Sequence, residues 1–185
     1  MARILDGLTA LVTGASSGIG KGIARGLAQA GCRVAVNYYS DAKGAEETVA
    51  ELGDLGGEAF SVYADVGVAS NVETMFASVL SRFQRLDILI NNAGIQTWKP
   101  LLEIEETEWD RVIATNLKGC FLCTQHAARA MKERSFGVIV NIGSGSNKVP
   151  FPNLSSYTAS KGGIEMFTQA AAVELGPYGI RVNFV

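Results

Sequence analysis

Among 185 residues there is a single histidine, His126, and only three cysteines, Cys32, Cys120 and Cys123. That scarcity leaves little from which to build a metal centre. Cys120 and Cys123 form a C-x-x-C with His126 three residues on, but no second pair supplies further ligands. On a helix, positions 120 and 126 point about 120° apart. The pair reads as packing cysteines, Cys32 as a core residue ahead of a strand, and no metal is expected. Charge of one sign is also missing: 16 basic against 18 acidic side chains give a net charge of −2. No basic stripe exists for nucleic acid or an anionic membrane surface. The apolar runs, such as ILI (88–90) and VAV (34–36), are too short to span a bilayer. No signal-peptide pattern is visible, and the sparse cysteines suit a reducing compartment, so the cytoplasm is expected. Neither a low-complexity segment nor an internal repeat stands out.

What is present is a regular alternation. At 48% hydrophobic and 18% charged residues, the chain reads as one globular domain over residues 1–185 with ample core. Strands fit near 8–12, 33–37, 59–63, 86–91, 137–142 and 180–184. Helices fit near 18–30, 42–53, 70–84, 107–132 and 156–175. Strands alternating with helices predict parallel β-α-β units and an α/β sheet covered on both faces. Two such halves, meeting at Leu86, predict strand order 3-2-1-4-5-6 with right-handed crossovers. Ligand binding then belongs at the carboxyl ends of the strands. The turns at Gly14, Asp65, Asn91 and Ser144 all follow strands and converge there.

Two motifs carry chemistry. The stretch TALVTGASSGIGKGIARGLAQAG (9–31) is a buried strand, a glycine-rich turn and a helix. Backbone N–H groups at such a turn approach a pyrophosphate without obstruction from a Cβ. Gly14 makes the tight turn, Gly18 admits phosphates and Gly20 lets the helix pack on the sheet, with Ser16 and Ser17 as added donors. The spacing is Gly-x-x-x-Gly-x-Gly rather than Gly-x-Gly-x-x-Gly. At the other end, Tyr157 and Lys161 in SSYTASKGG (155–163) share one helix face a turn apart. A positive charge beside a phenol favours the phenolate, which makes the pair a proton-transfer device. Alone, the two are as readily surface neighbours.

Together with ADV (64–66), NNAG (91–94), Asn116 and Ser144, these motifs resemble the short-chain dehydrogenase/reductase family in order and spacing, from about Leu8 onward. The resemblance implies a Rossmann-type doubly wound sheet and hydride exchange between a nicotinamide cofactor and a carbonyl or secondary alcohol. It implies that Tyr157 moves the hydroxyl proton, that Lys161 favours the phenolate and binds the nicotinamide ribose, and that Ser144 bonds both the substrate oxygen and the tyrosine. Asn116 would distort its helix and hold a water linking Lys161 to solvent; a solvated mid-helix asparagine is the plainer alternative. The cofactor would lie on Gly14, Ser16, Ser17, Gly18, Ile19 and Gly20. Its adenine edge would meet Asp65 and Val66, Asp65 serving equally as a helix N-cap. Asn92, Ala93 and Gly94 would shape the loop beneath the adenosine, with Asn91 structural.

Cofactor choice turns on the end of the second strand, where an acidic residue selects NAD and a nearby arginine NADP. Asn37, Tyr38, Tyr39 and Ser40 stand there, with Asp41 placed too late. NADP is therefore favoured, with NAD also open. The substrate is a small molecule. Gln96, Trp98, Asn147, Phe151 and Pro152 are its candidate contacts, and the segments KVPFP and YTASKGG are similar to those of glucose 1-dehydrogenases and 3-oxoacyl-carrier-protein reductases. Helices 107–132 and 156–175 are apolar on more than one face, which reads either as deep intramolecular packing or as self-association; the resemblance also implies pairing through them, and a homodimer or homotetramer is expected. After RVNFV (181–185) the family's Pro-Gly turn, substrate lid and seventh strand are expected, and none is in the sequence. A catalytically silent nucleotide-binding or oligomerisation module is thus the alternative to an enzyme, and full activity is expected to need a longer chain.

Overall fold

The computed structural model describes residues 3–185. In chain order the elements are β1 (Thr9–Val12), α1 (Gly18–Gln29), β2 (Arg33–Tyr38), α2 (Ala42–Asp54), β3 (Ala59–Tyr63), α3 (Ala69–Phe83), β4 (Ile88–Asn91), α4 (Glu106–Ile113), α5 (Gly119–Lys132), β5 (Gly137–Asn141), α6 (Ser155–Leu175) and β6 (Ile180–Phe184). Every pairing among the described strands is parallel, in the order β3-β2-β1-β4-β5-β6. The sheet is thus the expected Rossmann-type arrangement.

Strands that are buried on both faces need apolar side chains at successive positions. TALV of β1 and ILIN of β4 supply them, and all eight residues are buried. Alternation sorts them into two cores. Leu11, Ala35, Leu89, Ile139 and Val182 face α3, α5 and α6, against Met75, Phe83, Leu122 and Met131. Ala10, Val12, Val34, Val36, Ile88 and Ile90 face α1 and α2, where Ala24, Ala28 and Ala45 let those helices come close.

The predicted helix 107–132 departs from expectation. A π-helical turn, Ala114–Lys118, separates α4 from α5. Such turns insert one residue into the helical ladder and concentrate at functional sites. Here the extra residue rotates Asn116 inward, to 1% exposure. A solvated asparagine is therefore the wrong reading of that position.

At the opposite end of the sheet from the glycine-rich turn, Asp87 is fully buried. It accepts bonds from the Thr9 backbone N–H (3.0 Å) and hydroxyl (3.1 Å), from Arg85 through two nitrogens, and from Arg134 (3.1 Å). Burial by itself pushes its pKa up; the bonds from Arg85 and Thr9 outweigh that and hold it below the usual carboxylate range. Removing this carboxylate strands the buried Thr9 N–H, while the Thr9 hydroxyl keeps the Arg85 carbonyl (2.9 Å). Asp87→Ala is expected to lower unfolding free energy by about 2–4 kcal/mol, measured by urea denaturation. Because the folded pKa is depressed, the contribution is complete above the unfolded carboxylate pKa and fades as pH falls towards the folded one. The gap between wild type and variant should therefore narrow in acid.

Candidate active site

The turn after β1 is held from behind. Gly14 has φ +61°, and a Cβ there would lie 2.9 Å from the Cα of Ala93. A Cβ on Gly20 would strike the Gly14 carbonyl oxygen and come within 2.5 Å of Asn92 Nδ2. Asn92 Nδ2 donates to the carbonyls of Thr13 and Gly14 (both 2.9 Å), and Thr13 Oγ1 accepts from the N–H groups of Asn92 and Ala93. Asn37 Oδ1 accepts from the Gly14 N–H (3.1 Å). Gly18 opens α1 with φ +56°, and a Cβ there would meet nothing within 4 Å. That open front, at a helix N-terminus, is a cradle suited to a pyrophosphate.

A crevice of about 690 Å³ runs from this turn across the carboxyl ends of the strands. It is lined by Gly14, Ser16, Ser17, Ile19, Gly20, Asn37, Tyr39, Ser40, Asp65, Val66, Asn92, Ala93, Gly94, Tyr157 and Lys161, which brings most of the expected residues to one place. Lys161 is 4% exposed, donates to the Ile142 carbonyl (2.7 Å), and its Nζ lies 5.6 Å from the centre of the Tyr157 ring. Burial pushes its ammonium below the ordinary lysine range. Asn116 Oδ1 accepts from the Ile95 N–H (2.8 Å), while its Nδ2 donates to the Ile95 carbonyl and to Ser160 Oγ (both 2.9 Å). Ser160 Oγ donates onward to the Tyr157 carbonyl (2.7 Å). The π-turn thereby ties the loop after β4 to the helix that carries Tyr157 and Lys161.

Several expectations need correction. Tyr38 is not at the crevice: on β2 it shares the face of Val34 and Val36 and packs edge-on against Tyr63. Asn37 is 1% exposed, and its amide also donates to the Val62 and Ala64 carbonyls, so it braces the turn rather than presenting a free side chain. Asp65 is not a helix N-cap. That position is Val68, and Asp65 instead accepts from Gly67 N (2.9 Å) and Arg111 (2.7 Å). Asp41 does line the crevice, with its carboxylate capping α2 through Gly44 N. Ser144 Oγ accepts from the N–H and hydroxyl of Ser146 and makes no bond to Tyr157. Of the candidate substrate contacts only Gln96 lines the crevice. Trp98 and Phe151 stand exposed, and Asn147 donates to Glu165 (2.5 Å). Asn91 is buried and bonds Thr124 and Asn141.

Arg111, Thr115, Ile142 and Gly143 also line the crevice and were not expected there. The i, i+4 spacing that puts Arg111 and Thr115 on one helix face was the available signal; the partners across the chain were not readable. Cys120 and Cys123 are buried, the first with its thiol pushed up to about 12 by burial and the second likewise raised, and His126 packs on Phe76. Among the described residues no group of three or more metal-ligating side chains converges, and no helix is long and apolar enough to cross a membrane.

Residues 8–185 match the family described as short chain dehydrogenase. The chain belongs to the short-chain dehydrogenase/reductase family. A 3-oxoacyl-[acyl-carrier-protein] reductase of Staphylococcus aureus is 45% identical over 177 residues, 96% of this chain and 72% of that protein. Among solved structures, a short-chain type dehydrogenase/reductase from Mycobacterium marinum superposes with a TM-score of 0.94 at 36% identity, over 98% of this chain and 74% of its own. An NAD+-bound xylitol dehydrogenase gives 0.93 at 34%, over 97% and 69%. The protein is an NAD(P)-dependent oxidoreductase acting on a carbonyl or alcohol, which replaces the silent-module alternative.

The network through Asn116 makes a direct prediction. Ser160 is fully buried, and Ser160→Ala leaves an Asn116 N–H without its acceptor. Unfolding free energy should fall by about 1–3 kcal/mol. Calorimetry should show a melting temperature lower by about 2–4 °C for each kcal/mol lost.

Proposed function

We propose that the chain reduces a carbonyl to a secondary alcohol, and runs the reverse oxidation, with Tyr157 as general acid and base. The observation that carries this reading is the placement of Tyr157 and a buried Lys161 on the crevice wall, opposite a glycine turn built for a pyrophosphate. The cofactor, when bound, supplies or accepts the hydride. Gly14, Ser16, Ser17, Ile19 and Gly20 would hold its phosphates, and Asp65 and Val66 its adenine. In reduction Tyr157 Oη gives its proton to the substrate oxygen; in oxidation it takes that proton back. The Lys161 ammonium, fixed by the Ile142 carbonyl, would bind the nicotinamide ribose beside Tyr157. Ser144 Oγ accepts two bonds from Ser146, which leaves its own hydrogen to donate to the substrate oxygen. With both ends of its amide committed to Ile95 and Ser160, Asn116 acts by positioning rather than through its side chain as a relay.

NADP is the favoured cofactor. No carboxylate belongs to β2 itself; Asp41, three residues beyond Tyr38, lines the crevice and caps α2 through one oxygen, and Ser40 lines the same wall. For the substrate, a 3-oxoacyl thioester is the first reading, supported by the reductase relatives and by exposed Trp98, Leu101, Val149 and Phe151 on the loops after β4 and β5. A sugar or polyol is the second, supported by the xylitol dehydrogenase likeness. Tyr157→Phe is expected to lower kcat by about 10²–10⁴-fold while cofactor affinity changes less than twofold. Wild type should bind NADPH more tightly than NADH in a nicotinamide-fluorescence titration. Retention of most activity by Tyr157→Phe sinks the proton-transfer assignment, and tighter NADH binding sinks the selectivity.

Self-association through α5 and α6 completes the proposal. Between these helices lies a groove of about 300 Å³ lined by Phe121, Phe167, Leu175 and Tyr178. Met166 and Val173, a heptad apart on α6, are 59% and 79% exposed, and Phe121 on α5 is also exposed. A second copy of the same pair, turned by a two-fold axis, would cover them. Sedimentation velocity should show a dimer or tetramer that Phe121→Glu with Val173→Glu shifts to monomer. A wild-type monomer at micromolar concentration would contradict this.

A further inference from the structure

Arg111 belongs to α4, far in sequence from the crevice wall it joins. Its Nη1 donates to Asp65 Oδ2 at 2.7 Å, and its guanidinium carbon lies 5.2 Å from the centre of the Tyr39 ring. All three residues line the crevice at the end away from Tyr157, where β2 and β3 finish. The guanidinium carbon sits over an aromatic ring while one of its nitrogens bonds a carboxylate, a combination a lysine cannot reproduce.

The consequence falls on Asp65. Its side chain is only 9% exposed, and Oδ1 is already engaged by the Gly67 N–H. A carboxylate this enclosed is held in one orientation when both of its oxygens are partnered. With Gly67 on one oxygen and Arg111 on the other, the carboxylate cannot turn about its own axis without losing a bond. Each oxygen still keeps a second lone pair, so the group can accept a further bond. A neighbour that presents an amino group is bonded. One that presents a carbonyl at the same place meets two acceptors facing each other.

We propose that Arg111 is a positioning residue for base selection: it holds Asp65 as a fixed acceptor for the adenine 6-amino group and, with Tyr39, forms the outer wall of the base site. This rests on the reading above that the Asp65 end of the crevice receives the adenosine. Discrimination between adenine and hypoxanthine, which carries a 6-oxo group instead, then depends on a residue of α4 as well as on Asp65.

The test is a fluorescence titration of three reduced probes: NADPH, its hypoxanthine analogue and nicotinamide mononucleotide, which has no base at this end. Wild type is expected to favour adenine over hypoxanthine by about tenfold or more, the range of one charge-assisted hydrogen bond. Arg111→Met should weaken NADPH binding by about that factor and leave the hypoxanthine form and the mononucleotide within twofold, so that the ratio collapses. Arg111→Lys should fall between, keeping charge without the planar face. It also carries the test should Arg111→Met fail to fold. Asp65→Asn should abolish the ratio. Loss of the ratio in Asp65→Asn with the wild-type ratio kept in the Arg111 variants overturns the role of Arg111 alone. Absence of base discrimination in wild type overturns both this inference and the placement of adenine at Asp65.

Discussion

A backbone that must offer its N–H groups to an anion cannot also use them to hold itself in place. The turn after β1 meets this constraint by dividing the work: the Gly14 and Ala15 N–H groups are used on Asn37, and the remaining support comes from side chains behind the turn. Asn37 and Asn92 grip Gly14 from neighbouring strand ends, Thr13 anchors the following loop, and the missing Cβ atoms of Gly14 and Gly20 let the pieces close. Much of the fold follows from that arrangement. The strand order brings β2 and β4 to either side of β1, which is what places two asparagines behind a single turn.

The same division between support and presentation recurs on the other wall. The π-turn points the Asn116 amide into the protein, where it joins Ile95 to Ser160, and Lys161 is fixed by a main-chain carbonyl. The Asn116 and Ser160 side chains do structural work there, and they leave Tyr157 on the crevice face with Lys161 beneath it. An enzyme that moves a proton at one atom needs that atom free and everything beneath it immobile.

Elements were legible in the sequence where pattern is local. Strand alternation, the glycine turn and the i, i+4 pair of Tyr157 and Lys161 depend on neighbours along the chain, and the sheet order followed from them. What was not legible depends on partners distant in sequence. Asn37 looks like a pocket residue until β1 supplies Gly14 as its partner. Asp65 looks like a cap until Arg111 arrives from α4, 46 residues on. Tyr38 and Tyr39 are adjacent and equally aromatic, yet pleating sends the first to the α1 side of the sheet and leaves the second at the crevice. A π-turn adds one residue to a helix without changing its composition, so the periodicity of 107–132 carries no mark of it.

The asparagine pair at the strand ends has an effect of a different kind. β4 and β5 are short apolar strands that could slide past each other by two residues and keep every side chain on its original face. Asn91 and Asn141 stand opposite one another, bonded at 2.8 Å, and continue to Thr124 on α5 and Thr168 on α6. A slip would carry both amides away from their partners into hydrocarbon. Apolar contacts alone would tolerate several alignments; this buried amide chain acts as a notch that accepts one, and it sets the height at which the strands release the loops bearing Ile95 and Ser144.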